Sequence, residues 1–197
     1  VGLPLVCFGG WEMVLVGAAC VLFCFLYTTL LAQHGMGDVL VLLFFGLVPV
    51  CLTYYVTMPP ASQMITAQVV WASLACGLVI DTLLVVNNYR DYDQDLAVGK
   101  KTLIVRMGRE RAEQLYGWLG NIATYMMWGC LVLGDSSFVL MLVCFACFVP
   151  YALLHGATRV QMRRIGRGRE LNKVLGMTAR NMFVFGVTTA IVTLFIL

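Results

Sequence analysis

The sequence predicts an all-α membrane protein, and three observations support this fold class. Of the 197 residues, 61% are hydrophobic and only 12% are charged, whereas about a quarter of the residues in a soluble domain are charged. The mean hydropathy is +0.89. The apolar residues form long runs without the strict alternation of a transmembrane β-strand. Membrane-spanning helices are therefore indicated.

Six stretches have the length and the apolar character of a span. About 20 residues, each rising about 1.5 Å along the helix axis, are needed to cross the hydrocarbon core. We therefore predict a bundle of six transmembrane helices. In chain order the stretches are Trp11–Leu31, Val39–Thr57, Ile65–Val86, Leu115–Leu133, Phe138–His155 and Met182–Leu197.

The connecting segments separate these spans in order. The first span follows Gly9–Gly10, and the segment Ala32–Asp38 divides it from the second. The segment Met58–Met64 lies between the second span and the third. The third span leads into the long charged segment Asn87–Gln114, which precedes the fourth. If each span crosses the bilayer, successive connectors lie on alternate sides.

The charges are distributed very unevenly between the two sides. The remaining connectors are Gly134–Ser137, before the fifth span, and Gly156–Arg180, before the sixth. All 13 Lys and Arg residues fall on the side that includes Gly156–Arg180, and the other side carries only Glu12 and Asp135. By the positive-inside rule, the basic side should be cytoplasmic. Membrane lipid is a predicted partner, and no nucleic acid is expected.

The segment NNYRDYDQDLAVGKKTLIVR, residues 87–106, has the composition of a site. If the third helix continues beyond the membrane surface, Asn87, Asp91 and Asp95 share one face, whereas Asp93 points away. Two neighbouring carboxylates repel each other unless a cation neutralises them. Mg²⁺ suits this role, because it is bound by one or two carboxylates together with substrate phosphates.

Basic residues follow directly after the carboxylates. Gly99 should end the helix, and Lys100, Lys101 and Arg106 come next. Carboxylates that hold a metal beside free cations could clamp a diphosphate. A solvated charged loop is the alternative, and the spacing alone does not separate the two. Asp81, inside the third span, either faces a polar cavity or is protonated and hydrogen-bonded to a neighbouring helix.

The segment NNYRDYDQDLAVGKKTLIVRMG closely resembles the second aspartate-rich motif of the UbiA superfamily of intramembrane prenyltransferases. Its form is similar to that of the 1,4-dihydroxy-2-naphthoate prenyltransferases of menaquinone synthesis. HGMGDVLVLLFFGLVPVCLTYYV, from His34 to Val56, resembles their cytoplasmic loop and the helix after it. LNKVLGMTAR, from Leu171 to Arg180, resembles the segment before their last helix.

The resemblance implies a nine-helix bundle whose central cavity opens to the lipid. It implies Mg²⁺-dependent transfer of a polyprenyl group from polyprenyl diphosphate to 1,4-dihydroxy-2-naphthoate, which gives demethylmenaquinone. Asp91 and Asp95 match the catalytic, metal-binding aspartates of the motif. Its neighbouring substrate-binding positions, expected to contact the diphosphate, are matched by Asn88, Lys100, Lys101 and Arg106.

The first aspartate-rich motif of the family does not occur in this sequence. The six spans correspond to the last six of nine, so residues 1–197 are expected to form a single integral-membrane prenyltransferase domain that is incomplete at its N-terminus. This polypeptide alone is expected to be inactive. Two alternatives stay open: a prenyltransferase for another aromatic acceptor, and an ion-coupled transporter that uses Asp81 and Asp91. The sequence has no inverted repeat of the kind that transporters show.

Histidine and tyrosine side chains are further candidates. His34 could act as a base or bind the acceptor, or it could cap its loop. His155 is expected at the membrane interface. Tyrosine rings could stabilise an allylic cation by cation–π attraction, or they could form an interfacial belt. The tyrosines in question are Tyr54, Tyr55, Tyr89 and Tyr92.

Overall fold

A computed structural model describes residues 4, 6–26, 35–59, 63–132 and 138–196, and within these ranges it contains no strand. The predicted all-α class is confirmed. The helices in chain order are α1 (Val6–Gly9), α2 (Glu12–Leu26), α3 (Gly37–Val41), a π-helical turn (Leu42–Leu47), α4 (Val48–Thr57), α5 (Ala67–Arg90), α6 (Tyr92–Ala97), α7 (Leu103–Met107), α8 (Arg109–Val132), α9 (Phe138–Ile165) and α10 (Leu171–Ile196).

Four of the six predicted spans are helices long and apolar enough to cross a membrane. They are Gly37–Thr57, which joins α3, the π-helical turn and α4, together with Ala67–Arg90, Phe138–Ile165 and Leu171–Leu194. The first predicted span is shorter than expected in the part of the chain that is described, because α2 has 15 residues. Residues 27–31 of that span lie outside the described ranges.

The fourth predicted span corresponds to α8, which is 24 residues long. Its length would allow it to cross a bilayer, but it does not reach the apolar character of the other four. The cause is its composition: α8 begins with the charged sequence RERAEQ and carries Asn121 and Thr124 further along. The prediction of six spans is therefore supported at four positions by both length and composition.

Helix α5 lies at the centre of the bundle. Its N-terminus is capped by Thr66, whose Oγ1 accepts a hydrogen bond from the Val69 N–H at 3.3 Å. It packs against α3, the π-helical turn and α4 on one side, and against α8 and α10 on the other. Val85 and Val86, near its C-terminal end, are completely buried. The polar segment after α5 therefore begins among packed helices.

The helix Gly37–Thr57 approaches α5 at backbone contact distance. A Cβ atom added to Gly46, in the π-helical turn, would lie 2.7 Å from Gly77 Cα and 2.8 Å from the Ser73 carbonyl oxygen. Further along, the Cys51 thiol donates to Ser73 Oγ at 3.7 Å. This close crossing requires glycine at both Gly46 and Gly77, because a side chain at either position would push the two helices apart.

The ends of four helices meet at one end of the bundle. Arg90, at the end of α5, donates from Nη1 to Asn172 Oδ1 in α10 at 3.0 Å. Arg109, at the start of α8, donates from Nη1 to the Gly166 carbonyl oxygen after α9 at 2.7 Å. Arg163 in α9 lies 3.8 Å from Glu113 in α8. The alternation of connectors predicts this grouping of basic segments.

His155 is buried inside the bundle, so the prediction of an interfacial histidine is wrong. Its exposed fraction is 2%. The imidazole stacks on the Tyr116 ring, with 4.4 Å between the centroids, and its Nε2 lies 2.9 Å from the Tyr116 carbonyl oxygen. The space for the ring exists because α8 has a glycine, Gly120, at the point of contact. A partner on another helix, invisible in the sequence, thus explains the error.

Candidate active site

The aspartate-rich segment begins where α5 ends. Helix α5 stops at Arg90, and Asp91 has φ −87° and ψ 4°, so the predicted continuous helix is interrupted at this residue. The helical hydrogen bonds nevertheless continue: the Asp91 N–H donates to the Asn87 carbonyl oxygen at 3.1 Å, and the Asp95 N–H to that of Asp91 at 2.9 Å. Asp95 therefore follows Asp91 by about one turn. As predicted, α6 ends before Gly99, whose φ is 73°.

Asp91 is paired with the neighbouring arginine. Arg90 Nε lies 2.7 Å from Asp91 Oδ1, and Arg90 Nη2 donates to Oδ2 at 2.8 Å. Nη2 also donates to Asn87 Oδ1 at 2.9 Å. A bidentate arginine–carboxylate pair is a strong and directional interaction. A metal ion at Asp91 would compete with Arg90 for the carboxylate.

Asp95 is buried and only half satisfied. Its exposed fraction is 7%. Oδ1 lies 3.3 Å from Lys100 Nζ, and the Lys100 backbone N–H donates to the Asp95 carbonyl oxygen at 2.9 Å. Oδ2 is buried and has no hydrogen-bond partner among the described residues. An unpartnered buried carboxylate oxygen requires an explanation, and it is a suitable ligand atom for a hard cation.

A small cleft, here called the polar cleft, lies beside this segment. Asp38, Asn88, Lys100 and Thr102 supply its polar groups. Asn88 has an exposed fraction of 8%. Thr102 is fixed because its Oγ1 accepts from the Val105 N–H at 3.2 Å and caps α7. The cleft therefore combines an acid, an amide, a cation and a hydroxyl.

The loop that closes the polar cleft depends on Gly35. This residue has φ 77°, a conformation that side chains other than glycine rarely adopt. A Cβ atom at Gly35 would lie only 2.6 Å from the Lys101 carbonyl oxygen. The backbone before α3 therefore packs directly on the segment after α6, and this contact brings Asp38 towards Lys100.

An apolar cavity of about 600 Å³ opens next to the polar cleft. Leu84 lines both spaces, and Asn87 is the polar residue of the cavity wall. The rest of the wall comes from the helix Gly37–Thr57, from α5 and from α10, including Phe45, Leu83 and Leu175. The apolar cavity has room for a hydrocarbon tail, whereas the polar cleft, at about 20 Å³, offers an anionic head only the polar groups at its edge.

The predicted diphosphate contacts separate into two groups. Asn88 and Lys100 line the polar cleft. Lys101 and Arg106 are exposed, in the turn before α7 and in its last turn, and they are not among the residues that line it. Sequence proximity grouped all four. In the structure only the first of the two adjacent lysines lines the cleft, and Arg106 belongs to α7. The candidate His34 lies outside the described residues.

The described residues contain no group of three or more His, Cys, Asp and Glu side chains that could hold a metal ion. Mg²⁺ does not need such a cage, since it is commonly bound by one or two carboxylates and by substrate phosphates. The unpartnered Oδ2 of Asp95 and the nearby Asp91 fit this open mode of binding. A closed structural metal site does not fit the residues in this part of the chain.

Arg109 is a central residue of this end that the sequence analysis missed. It donates from Nη1 to the Tyr89 carbonyl oxygen at 3.0 Å and from Nη2 to Asp93 at 2.9 Å. Its guanidinium lies over the rings of Tyr89 and Tyr92, at 4.9 and 4.7 Å from their centroids. These two rings, predicted as candidates to stabilise a carbocation, are thus packed against a protein cation. Nothing in the sequence pattern marks Arg109 among the 13 basic residues.

Two further carboxylates, Asp38 and Asp81, are buried with exposed fractions of 8% and 2%. Each has an Oδ1 without a hydrogen-bond partner in the described part of the chain. For Asp81 we expected either a polar cavity or a hydrogen bond to a neighbouring helix, and within the described residues its Oδ1 makes no such bond. Asp38 was not predicted as a site residue. Its only signal is its position as an acid at the start of an apolar span.

Comparison with known proteins gives one family. The UbiA prenyltransferase family matches residues 1–183. A protein of Mycobacterium tuberculosis named 1,4-dihydroxy-2-naphthoate octaprenyltransferase is 34% identical over 96% of this chain and 62% of its own length. Proteins of the same name from Escherichia coli and Haemophilus influenzae are 34% and 36% identical over 60% and 45% of this chain, and 32% and 28% of their own lengths.

The chain spans less than two thirds of the length of these relatives. No solved structure gives a significant match.

Proposed function

Because this chain belongs to the UbiA prenyltransferase family, we propose that the intact protein transfers a polyprenyl group from polyprenyl diphosphate to 1,4-dihydroxy-2-naphthoate, giving demethylmenaquinone. The names of the relatives support both the donor and the acceptor. The observation that carries the proposal is the polar cleft beside an apolar cavity of about 600 Å³, at the end of α5 that bears the aspartates.

The donor binds across the two spaces. Its diphosphate contacts Lys100 and the Asn88 amide at the edge of the polar cleft, and its hydrocarbon tail lies along Phe45, Leu83 and Leu175 in the apolar cavity. Lys100 supplies positive charge to the leaving group, which becomes more negative as its bond to the prenyl carbon lengthens. Because Leu84 lines both spaces, the reacting carbon lies near this residue.

Asp91 and Asp95 hold Mg²⁺ in this proposal. When bound, the metal supplies Lewis-acid stabilisation of the diphosphate. The unpartnered Oδ2 of Asp95 supports its role. Asp91 would hold the metal in place of its present contact with Arg90, and Arg90 could then contact a phosphate. The apolar wall keeps water from the allylic cation, which would otherwise be hydrolysed.

The reaction takes place at the cytoplasmic surface of a bacterial plasma membrane. The grouping of basic residues at the end of the bundle that carries the aspartates supports this side. The water-soluble acceptor then reaches the polar cleft from the cytoplasm. The tail of the donor reaches the cavity from the lipid.

The test is prenyl transfer by the purified intact protein, with Asp91→Asn and Asp95→Asn compared with Asp93→Asn. Asp93 is the matched control, because its side chain is 59% exposed and faces Arg109 rather than the polar cleft. We expect the Mg²⁺-dependent rate to fall at least about 100-fold in the first two variants. The rate of Asp93→Asn should stay close to that of the wild type.

A near-normal rate in Asp91→Asn or in Asp95→Asn would refute the metal-binding role of that residue. Failure of the wild-type protein to prenylate the naphthoate with any tested chain length would refute the proposed reaction itself. Prenylation of 4-hydroxybenzoate in its place would assign a different acceptor.

A further inference from the structure

We propose that Asp38 and Asp81 form the subsite that binds the hydroxyl groups of the aromatic acceptor. This inference rests on the proposed prenyl transfer and extends it to the second substrate. It concerns two side chains that lie outside the aspartate-rich segment. The argument uses their position, their burial and their unpartnered oxygen atoms.

The two carboxyl groups belong to helices α3 and α5, which pack against each other. On α5, Asp81 precedes Leu84 by three residues and Asn88 by seven, so all three lie on one helix face. Asp38 lines the polar cleft together with Leu84 and Asn88. Asp38 therefore lies at the polar cleft, and Asp81 lies further from Asn88 along the same face of α5.

Neither carboxylate is compensated by its surroundings. Both are more than nine-tenths buried, and each has an Oδ1 with no partner among the described residues. No ion pair to either side chain occurs in those residues. Burying an unpaired charge is costly, and ionisable groups inside a membrane protein usually mark a functional site. A ligand that donates hydrogen bonds would satisfy both oxygen atoms.

Hydroxyl donors on an aromatic ring suit this pair, because its surroundings combine carboxyl oxygens with apolar side chains. Part of the wall is apolar, as Leu84 of α5 and Val41 of the facing helix line the adjoining cavity. A flat aromatic ring can pack against such residues while its O–H groups donate to the carboxylates, which are strong acceptors.

The distance of Asp81 from the diphosphate contacts leaves the prenyl carbon between the diphosphate and the acceptor. Asp81 lies about 10 Å along the helix axis from Asn88, since each residue rises about 1.5 Å. Asn88 and Lys100 contact the diphosphate in the proposed function, and the prenyl carbon lies next to it on the apolar side. An acceptor held by Asp81 and Asp38 would approach that carbon from inside the bundle. Hydrogen bonds from its hydroxyl groups to carboxylates would also enrich the ring in electrons.

The experiment compares Asp38→Asn and Asp81→Asn with Glu12→Gln in the intact protein, after wild-type prenyl transfer has been established. Glu12 is an exposed acid at the start of α2. In both aspartate variants we expect the KM for the dihydroxynaphthoate to rise about tenfold, because the carboxyl oxygen that accepts from the hydroxyl group is lost. The KM for polyprenyl diphosphate should change less than about twofold. Glu12→Gln should match the wild type in both.

A binding measurement on the wild type keeps the inference testable if a variant does not fold. Equilibrium binding is compared for 1-hydroxy-2-naphthoate, 4-hydroxy-2-naphthoate and 2-naphthoate. At least one hydroxylated compound should bind about tenfold or more tightly than 2-naphthoate, and this preference should shrink in Asp38→Asn or Asp81→Asn. Equal binding of all three compounds would overturn the inference, as would a variant that changed only the Mg²⁺ dependence of the reaction.

Discussion

Charged side chains at the candidate active site are paired with neighbours close in sequence. Arg90 holds Asp91, and Lys100 holds Asp95. Both pairs join residues that are candidates for the same substrate complex. The site is therefore partly neutralised by its own residues. On binding of metal and diphosphate, the two carboxylates would exchange a basic side chain for the metal ion, and the two basic side chains would exchange a carboxylate for phosphate oxygens. Lys100 is the cation that lines the polar cleft while it contacts Asp95.

For Lys100→Ala we expect a larger effect on the donor than on the acceptor. The KM for polyprenyl diphosphate should rise about tenfold, because a cationic contact to the diphosphate is lost. The KM for the naphthoate should change by less than about twofold. Steady-state kinetics with each substrate varied in turn measures both values. Lys173→Ala, which removes an exposed cation from α10, is the control. An equal rise in the two KM values would argue against a diphosphate contact.

For physical reasons the sequence predicts some residues of the candidate site and gives no signal for others. Helical spacing and a glycine stop place Asp95, Asn88 and Lys100 in one neighbourhood, and the family resemblance gives them their predicted roles. Asp38 was missed, because its direction depends on how the helix Gly37–Thr57 packs on α5. Arg109 was missed because its partners, the carbonyl oxygens of Tyr89 and Gly166, are backbone atoms from two distant segments.

At the scale of elements, the contact between Gly46 and Gly77 sets how closely the second predicted span approaches α5. Most bounds of the membrane helices were predicted to within a few residues, because apolar runs define them. The C-terminal extension of α5 to Arg90 was also expected. The predicted connector Gly156–Arg180 is mainly helical instead: α9 continues past His155 to Ile165, and α10 begins at Leu171 rather than at Met182. The π-helical turn at Leu42–Leu47 was not predicted, because its i→i+5 hydrogen bonds leave no pattern in the sequence.

Gly46→Ala should destabilise the protein by about 1–3 kcal/mol. The added methyl group would lie 2.7 Å from Gly77 Cα and 2.8 Å from the Ser73 carbonyl oxygen, and both are backbone atoms that cannot rotate away. Thermal unfolding in detergent measures the change. Gly186→Ala is the matched control, since a Cβ atom there has no neighbour within 4 Å. That helix position should be unaffected or slightly stabilised. Equal melting temperatures for the two variants would contradict the close crossing.

At the scale of the whole molecule, the charge distribution in the sequence and the packing of the helices both indicate one basic end of the bundle. The hydrogen bonds from Arg90 to Asn172 and from Arg109 to Gly166 tie together the ends of α5, α8, α9 and α10. The 13 basic residues belong to the segments at this end. Positive charge on one side is the main determinant of orientation in a membrane. The candidate active site should therefore face the cytoplasm.

Cysteine labelling in intact cells tests this orientation. In a background without the eight native cysteines, Glu170→Cys at the basic end should react with a membrane-impermeant maleimide only after the cells are permeabilised. Met64→Cys is the control at the opposite end, where the side chain is 76% exposed, and it should react in intact cells. Labelling of the cysteine at position 170 from outside intact cells would overturn the topology.

The π-helical turn has a consequence for the angular phase of its helix. In a regular α-helix, Gly46, which is eight positions after Asp38, would lie about 80° past it around the helix axis. Both residues are nevertheless buried, with Asp38 lining the polar cleft beside Leu84 and Asn88 of α5, and Gly46 at backbone contact with α5. The wider turn absorbs this angular excess. One helix can thus supply a polar wall at the membrane surface and a tight crossing in the bilayer.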